Sequence, residues 1–327
     1  MKPSMGPIRP PSEAYSMLVR ATKNCPWNRC TFCTVAKGQK FEIRPVETVK
    51  ADILSHKKMV EDIYEYAERS GHRIGEIARY NDIPWLLDDG VNSVFIQDSD
   101  SLIMKTEQLV EILEFLRQTF PTIERVCTYA RGKTIFNKTL DELKQLRAAG
   151  LSRIHMGLET GDDELLAEIR KGATAGEMIQ AGRKAIAAGL EVSAYIMPGL
   201  GGQERWEQHA ANSADVLNAI NPRFIRLRTF HLPGGTPIYE KAERGAFHIQ
   251  SIEGVILEVR RFIEALEVTS ELITTDYAHN YYLGYVDAKL PEEKERLIGD
   301  LDNALADWRS RGEPKRNPFW GGLNRHL

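Results

Sequence analysis

Cysteine is scarce in this chain, and several other sequence features are missing altogether. Only four cysteines occur among 327 residues, which is too few for a disulfide framework and favours a reducing compartment, so we expect a cytoplasmic protein. No run of about eighteen apolar residues is present, so we expect no membrane-spanning helix. Residues 1–11 are rich in proline and lack an apolar core, so we expect no secretory signal there.

An excess of charge of one sign is also missing. The 43 basic residues are balanced by 46 acidic ones, and the formal net charge is −3. A broad basic surface is therefore not expected, and nucleic acid is not an expected partner. Apolar residues make up 42% of the chain, which is enough for a large core. Because no flexible linker interrupts the sequence, we predict one core domain over residues 12–236 and a mainly helical extension over 237–327 that packs on the core or caps it.

Short β-branched runs alternate with longer helical segments through the core. The predicted strands are residues 15–22, 93–97, 125–130, 153–157, 191–197 and 224–228. Such alternation is typical of βαβ units and a parallel sheet. Six units are two fewer than a complete eight-fold barrel has. The sequence therefore predicts an α/β fold, a partial (β/α)6 TIM-type barrel.

Three of the four cysteines lie in one short run, Cys25-Pro-Trp-Asn-Arg-Cys30-Thr-Phe-Cys33. Three thiolates this close can hold three corners of one iron–sulfur cluster and leave one iron open to a small molecule. The alternatives are a structural role or a zinc site with His56 as a fourth ligand. Zinc usually takes ligands from two paired clusters, and the sequence has no second pair. The cysteine run therefore favours an iron–sulfur cluster.

The cysteine loop resembles the cluster loop of the radical S-adenosylmethionine (radical SAM) superfamily, in which three cysteines follow the first strand of a partial barrel. Phe32 occupies the place of the aromatic residue that commonly precedes the last cysteine. The gap between Cys25 and Cys30 is one residue longer than usual, as in some members. The resemblance covers about residues 15–236 and implies a [4Fe–4S] cluster on Cys25, Cys30 and Cys33 that binds SAM. It further implies reductive cleavage of SAM to methionine and a 5′-deoxyadenosyl radical, which abstracts hydrogen from a substrate.

The same resemblance implies roles for polar residues at the ends of predicted strands. Asp98, ahead of Asp100, lies where the family places a turn beside the methionine amino group of SAM. Glu159 resembles the acid that contacts the ribose hydroxyls, and Gly199 belongs to a glycine-containing turn that approaches adenine. The structural alternatives are a solvated Asp-Ser turn, a charge at a helix N-terminus and a plain βα turn.

Four cations are further candidates for contact with SAM. Arg170 and Lys171 resemble a family segment placed near SAM, where either could reach a carboxylate. A solvated helix end explains them equally well. Arg226 and Arg228 alternate along the predicted sixth strand, so both are expected on one face. Inward arginines need an anionic partner, which is either a ligand carboxylate or an internal acid.

Catalytic residues are less clearly marked. Cys127 lies on the predicted third strand and could deliver hydrogen to a substrate radical, or it could be a buried small apolar residue. Tyr129 closes the same strand. His279 lies in the extension, where it could contact substrate or pack against the barrel. These three are the candidates for direct participation in catalysis.

The expected function is that of an anaerobic radical SAM enzyme with a small organic substrate. The stretch His231-Leu-Pro-Gly-Gly-Thr-Pro237 resembles the segment that closes the barrel in oxygen-independent coproporphyrinogen-oxidase-like and elongator-like members. One further cysteine cannot hold an auxiliary cluster, so the electron is expected from an external flavodoxin or ferredoxin. The alternatives are a non-catalytic iron–sulfur or zinc protein, acting as a scaffold or redox carrier, and an RNA-modifying elongator-like enzyme.

Overall fold

The structure is a computed structural model that describes residues 3–6, 8–275, 277–284, 287–312 and 319. The chain divides into two compact units. Unit 1 comprises Met1–Pro26, Gly38–His155 and Ala187–Glu191, and unit 2 comprises Trp27–Lys37, Met156–Ile186 and Val192–Leu327. The predicted boundary between core and extension after residue 236 stays a prediction.

The described residues form ten strands and eleven α-helices, besides short 3₁₀ helices at Pro11–Glu13, Ser101–Ile103 and Ala278–Leu283. The strands are β1 (Met17–Arg20), β2 (Thr22–Lys23), β3 (Glu42–Ile43), β4 (Ser93–Gln97), β5 (Arg125–Arg131), β6 (Leu151–Glu159), β7 (Glu191–Ile196), β8 (Phe224–Leu227), β9 (Glu271–Ile273) and β10 (Ala288–Lys289). The helices are α1 (Val46–Ser70), α2 (Ile74–Tyr80), α3 (Thr106–Thr119), α4 (Gly132–Asn137), α5 (Leu140–Ala148), α6 (Asp163–Glu168), α7 (Ala175–Ala187), α8 (Gly202–Ile220), α9 (Pro237–Glu243), α10 (Ile252–Ala265) and α11 (Lys294–Arg311).

Eight of the strands form one sheet in the order β1-β4-β5-β6-β7-β8-β9-β10. β2 and β3 form a separate two-stranded sheet. β1 pairs with β4, β4 with β5, β7 with β8 and β8 with β9 in parallel, whereas β10 runs antiparallel to β9. All six predicted strands are present, and the α/β fold class is confirmed. The sequence analysis did not predict β9 and β10, because strands of two or three residues carry no readable periodicity.

The strand register of unit 1 places a compact apolar cluster on one face of the sheet. Leu18 of β1 lies opposite Phe95 of β4, and Phe95 lies opposite Cys127 of β5. These three side chains are buried together, and Tyr129 packs against them. Because successive strand residues point to opposite faces, the equal register brings the same face of all three strands into the core.

Within unit 2 the predicted sixth strand is one residue too long. β8 ends at Leu227, so Arg228 follows the strand rather than belonging to it. The Arg228 amide still donates to the Ile196 carbonyl at 2.9 Å, which continues the parallel hydrogen-bond pattern beyond the strand. No helix in the part of the chain that the structure describes is long and apolar enough to span a membrane.

Candidate cofactor site

Asp98 follows β4 in unit 1 and is fully buried. Its Oδ2 accepts hydrogen bonds from Arg20 Nη2 at 2.7 Å and from the Asn24 amide at 3.0 Å. Its Oδ1 has no hydrogen-bond partner among the described residues. An unsatisfied buried carboxylate oxygen is costly, so this atom suits a cationic ligand. Since Asn24 directly precedes Cys25, Asp98 also fixes the start of the cysteine loop.

Asp100 is also fully buried, but its two oxygens are engaged within unit 1. Thr134 Oγ1 donates to Oδ2 at 2.5 Å, and the Arg131 amide lies 3.4 Å from Oδ1. Burial raises the pKa of Asp100 to about 6, and these two contacts only partly oppose that rise. The carboxyl therefore anchors the start of α4, and the geometry favours Asp98 over Asp100 as a ligand group.

The three clustered cysteines differ from Cys127 in exposure. Cys25, Cys30 and Cys33 are half-buried, as is Phe32, whereas Cys127 is fully buried. Thiols at such a partly exposed loop are accessible to metal ions, whereas the Cys127 thiol lies inside unit 1. The exposure of the cysteine loop therefore suits a metal cluster, and a part for the buried Cys127 in catalysis stays a prediction.

The part of the cysteine loop that belongs to unit 2 is held by the turn at residues 169–172. Trp27 Nε1 donates to the Arg170 carbonyl at 2.7 Å, and the Thr31 amide donates to the Ile169 carbonyl at 2.9 Å. Gly172 has a φ of +74°, and a Cβ on it would lie 2.5 Å from the Trp27 ring. Because Gly172 has no side chain, the Trp27 indole can pack against it. The sequence analysis missed this contact.

Glu159 ends β6 with a φ of +68°. Its Oε1 accepts from Lys171 Nζ at 2.8 Å, and both side chains are largely buried. A Cβ on Gly157 would lie only 2.4 Å from Glu159 Oε1. Because Gly157 has no side chain, the Glu159 carboxylate can lie beside it. Of the two predicted cations, Lys171 binds this carboxylate, while the Arg170 side chain is exposed and its carbonyl holds Trp27.

Gly199 lies in the turn after β7 with a φ of +85°, and its amide donates to Glu258 Oε1 at 2.9 Å. Glu258 comes from α10 and is 2% exposed, and its Oε2 has no hydrogen-bond partner among the described residues. Burial raises the pKa of Glu258 to about 8, against the opposing effect of the Gly199 amide. The carboxyl is therefore mainly neutral at pH 7. The sequence analysis missed Glu258, although an acid within the apolar face of a helix was a readable signal.

His209 connects the ends of β6 and β7 beside this carboxyl. Its Nδ1 lies 2.7 Å from Thr160 Oγ1, its Nε2 lies 3.0 Å from the Met197 carbonyl, and Glu258 Oε1 is 3.4 Å from Nε2. A carbonyl can only accept, so we assign the proton to Nε2 and the acceptor role to Nδ1. Burial lowers the pKa of His209 to about 4 despite the bond to Met197. A neutral imidazole thus supports both strand ends.

Arg226 and Arg228 have different surroundings. Arg226 is buried, its Nε donates to Ser193 Oγ at 3.0 Å, and its guanidinium lies 5.6 Å from the Phe224 ring. The Arg228 guanidinium lies 4.7 Å from the Tyr277 ring. Contacts of this kind with an aromatic ring stabilise a cation. An aromatic ring is therefore a third kind of partner, besides the ligand carboxylate and the internal acid that the sequence suggested.

His279 lies in the last 3₁₀ helix and packs against other rings. Its ring centroid is 4.4 Å from that of His231 and 5.1 Å from that of Tyr277. Burial, and then the charge of Arg228, lower the pKa of His279 below its usual value. In unit 1, Tyr129 is half-buried and meets Phe95 edge to face at 5.1 Å. Both candidates therefore have clear packing roles, and their part in catalysis stays a prediction.

Comparison with known proteins decides the family. The sequence pattern of the Radical SAM superfamily matches residues 19–214, which is more than half of the chain. The chain belongs to the radical SAM superfamily. It is therefore a radical SAM enzyme, and its cofactors are those of the superfamily, a [4Fe–4S] cluster and SAM. Both were implied by the cysteine loop.

A curated relative and several solved structures resemble this radical SAM chain. The heme chaperone HemW of Bacillus subtilis (strain 168) is 21% identical over 160 residues, which are 49% of this chain and 42% of that protein. The methyltransferase TsrM from Kitasatospora setae, with cobalamin and a [4Fe–4S] cluster bound, has a TM-score of 0.50 and 17% identity. That match covers 71% of this chain and 40% of TsrM.

Two further structures show the same fold. The cobalamin-dependent enzyme OxsB, with aqua-cobalamin and SAM bound, has a TM-score of 0.52 and 13% identity, over 90% of this chain and 46% of OxsB. The archaeal Methanocaldococcus infernus Elp3 has a TM-score of 0.50 and 15% identity, over 70% of this chain and 57% of that structure. The chain thus spans about half the length of these relatives. At such identities the similarity shows a common fold and nothing more.

The buried pair Glu258 and His209 leads to a prediction about pH. The folded-state pKa of Glu258 is raised to about 8, so its contribution to stability is present below the unfolded value of 4.5 and is lost as the pH rises to 8. A shift of this size corresponds to a few kcal/mol, at about 1.4 kcal/mol per pKa unit. We expect Glu258→Gln to unfold at a higher temperature than the parent at pH 9, with the difference shrinking towards pH 5.

The measurement is thermal unfolding of both proteins in anaerobic buffers from pH 5 to pH 9. Glu264→Gln is the matched control, because Glu264 lies on the same helix with an exposed side chain, and we expect its difference from the parent to be independent of pH. An equally flat difference for Glu258→Gln would show that Glu258 is not a neutral buried carboxyl.

Proposed function

We propose that this radical SAM enzyme holds its cluster on Cys25, Cys30 and Cys33 and abstracts hydrogen from a small organic substrate. When bound and reduced, the cluster supplies the electron that cleaves SAM to methionine and a 5′-deoxyadenosyl radical. The single observation that carries the assignment is Asp98, a buried carboxylate that fixes the residue before Cys25 while one of its oxygens has no described partner.

The cysteine loop suits an iron–sulfur cluster. Thiolates are the usual cluster ligands, and three of them on one loop leave one iron for SAM. The loop is not held by these cysteines alone, since the bonds of Trp27 and Thr31 to the turn at residues 169–172 fix its backbone. A loop that is already in place loses less conformational entropy when it receives the cluster.

Asp98 is proposed to bind the amino group of SAM. A charge-assisted hydrogen bond from an ammonium to Oδ1 would satisfy the Asp98 oxygen that has no partner among the described residues. Arg20 and Asn24 hold Oδ2, so the carboxylate has a fixed orientation before the ligand arrives. Asp100 is proposed instead as a structural residue, because Thr134 and the Arg131 amide engage its oxygens.

Unit 2 is proposed to contribute groups for the nucleoside part of SAM. Lys171 fixes Glu159 through Oε1, and this bond leaves Oε2 to accept from a ribose hydroxyl. The turn that contains Gly199 would present backbone groups to adenine, and Glu258 and His209 hold the strand ends around that turn. Arg226 and Arg228 are proposed to lie near a ligand carboxylate, beside their ring contacts.

The substrate is proposed to be a small molecule because the acidic charge balance provides no broad surface for nucleic acid. An external flavodoxin or ferredoxin would deliver the electron, and the reducing cytoplasm is the proposed location. The test is an assay under anaerobic conditions. Protein reconstituted with iron and sulfide should convert SAM to 5′-deoxyadenosine and methionine when dithionite is added. A fully reconstituted protein that leaves SAM intact would refute the proposal.

Asp98→Asn tests the proposed contact with the SAM amino group. The amide is isosteric and keeps an oxygen for Asn24, but it removes the charge. Hydrogen bonds to charged groups are worth about 1.5–3 kcal/mol, so we expect the KM for SAM to rise roughly 10- to 100-fold. Asp62→Asn is the control, since Asp62 is an exposed residue of α1.

Iron and sulfide content separate the two roles of Asp98. If Asp98→Asn keeps its cluster and only its KM rises, the residue binds SAM. If the cluster is lost as well, the residue acts mainly through Asn24 and the loop. An unchanged KM with a full cluster would remove Asp98 from the binding site.

A further inference from the structure

A second group of side chains suited to binding metal ions lies in the interior of unit 1. Glu13, Cys127 and His155 are each fully buried, and one ligand atom from each lies within 4.8 Å of the other two. Glu13 ends the 3₁₀ helix that precedes β1, whereas Cys127 and His155 belong to β5 and β6. None of the three has a role in the proposed binding of SAM.

Glu13 is placed at the end of the strands opposite to Asp98. Glu13 contacts Ser16, which precedes β1, and Arg125, which begins β5. Ser16 in turn contacts Ser93, which begins β4. Asp98, by contrast, follows the carboxyl end of β4. Glu13 therefore lies at the amino ends of β1 and β5, and Cys127 and His155 lie further along β5 and β6.

The distance between His155 and Glu13 is that of a long hydrogen bond and is also compatible with a shared metal ion. His155 Nε2 lies 3.4 Å from Glu13 Oε1, beyond the usual range of about 2.7–3.2 Å for such a bond. Two ligands of a tetrahedral zinc ion, each about 2.1 Å from the metal, are about 3.4 Å apart. The spacing is thus that of two corners of a zinc site.

The donor types agree with zinc. A thiolate, an imidazole and a carboxylate are the three ligand classes that Zn²⁺ takes in proteins, whereas Ca²⁺ and Mg²⁺ take oxygen ligands. A thiolate and a carboxylate together would offset two positive charges at this fully buried place, where Arg125 also pairs with Glu13. Three protein ligands leave a fourth position for water. We propose that Glu13, Cys127 and His155 form a zinc site that fastens the N-terminal segment to β5 and β6.

Neighbouring groups orient these ligands. Ser16 Oγ donates to Glu13 Oε2 at 2.5 Å and Arg125 Nη2 lies 3.3 Å from the same oxygen, so Oε1 is the atom turned towards His155. Phe95 and Tyr129 meet the His155 ring edge to face, with centroids 6.0 and 5.8 Å away. Such supporting contacts are what fix the ring and carboxylate directions in metal sites.

The test uses the full-length chain with Cys25→Ser, Cys30→Ser and Cys33→Ser, so that Cys127 is the only thiol and no cluster forms. This parent is incubated with zinc sulfate, passed over a chelating resin and analysed for metal. We expect about one zinc per chain. Cobalt in place of zinc should give a thiolate-to-cobalt charge-transfer band, which only Cys127 can supply. A parent without retained zinc and without this band would overturn the proposal.

Further variants assign the ligands. Cys127→Ser or Glu13→Gln, added to the parent, should weaken zinc binding at least about tenfold in competition with a chromophoric chelator, since changes outside the ligand set already cause such losses. His56→Gln is the control, because His56 is a buried histidine of the same unit that bonds the Leu18 carbonyl. Circular dichroism checks folding. Zinc affinity that is unchanged in both folded variants would also overturn the proposal. If the variants fail to fold, the presence or absence of the cobalt band in the parent decides whether Cys127 binds the metal.

Discussion

Cys30→Ala should abolish the reductive cleavage of SAM. Two thiolates cannot hold three corners of a cluster, so the iron that binds SAM is lost with the third ligand. Replacements outside the ligand set of metal sites typically reduce affinity or activity 10- to 100-fold, so we expect the loss of a ligand to lower 5′-deoxyadenosine formation by more than about 100-fold. The measurement is product formation per chain under anaerobic conditions, together with iron content.

Thr34→Ala is the matched control for this variant. Thr34 lies in the same loop, directly after Cys33, and its side chain is exposed. We expect it to retain both cluster and cleavage, which would exclude a general disturbance of the loop. Retention of cleavage by Cys30→Ala would show that the cluster is held elsewhere, and the proposed chemistry would fail.

Gly172→Ala should have the second largest effect, although Gly172 bears no functional group. A Cβ would lie 2.5 Å from the Trp27 ring, and the φ of +74° adds strain for any residue with a side chain. Trp27 must then leave its place, and the bond to the Arg170 carbonyl goes with it. We expect iron content and SAM cleavage to fall several-fold, while far-UV circular dichroism stays that of the parent.

Gly176→Ala is the control for the glycine substitution. A Cβ there would have its nearest neighbour 4.0 Å away, and the position lies within α7, where alanine is favoured over glycine. We expect no loss. Trp27→Ala should lose as much cluster as Gly172→Ala, and the double variant should lose no more than either, because both remove the same contact. Additive losses would show that Gly172 acts independently of Trp27.

The main elements of the barrel were readable from the sequence because their periodicity extends over enough residues. The predicted strand over 93–97 corresponds to β4, and the predicted strand over 191–197 corresponds to β7, which ends one residue earlier. Short elements escaped, including α9 and the strands β9 and β10. A helix of seven residues makes only about two turns, and a strand of two or three residues shows barely one alternation. The conformation of such segments depends on the neighbours that they pair with.

The candidate site was readable in its residue types but not in its partners. The family resemblance placed Asp98 ahead of Asp100, although both are acids that follow the same strand. The structure engages Asp100 with Thr134 and leaves one oxygen of Asp98 without a described partner. Glu258 and Gly199 are 59 positions apart, and their contact depends on how α10 packs. Contacts at such separations have no local signature.

Sequence alone determined the family chemistry of this protein, because three thiols in one short loop have few uses other than a shared metal cluster. It also determined the succession of strands and helices, since burial of one face imposes the period of each element. Only the tertiary structure decided that Asp98 keeps an oxygen without a described partner and that Trp27 packs against Gly172. It also decided that Glu13 lies close to Cys127 and His155. These depend on distances between residues far apart in the chain, which are set by packing rather than by local preference.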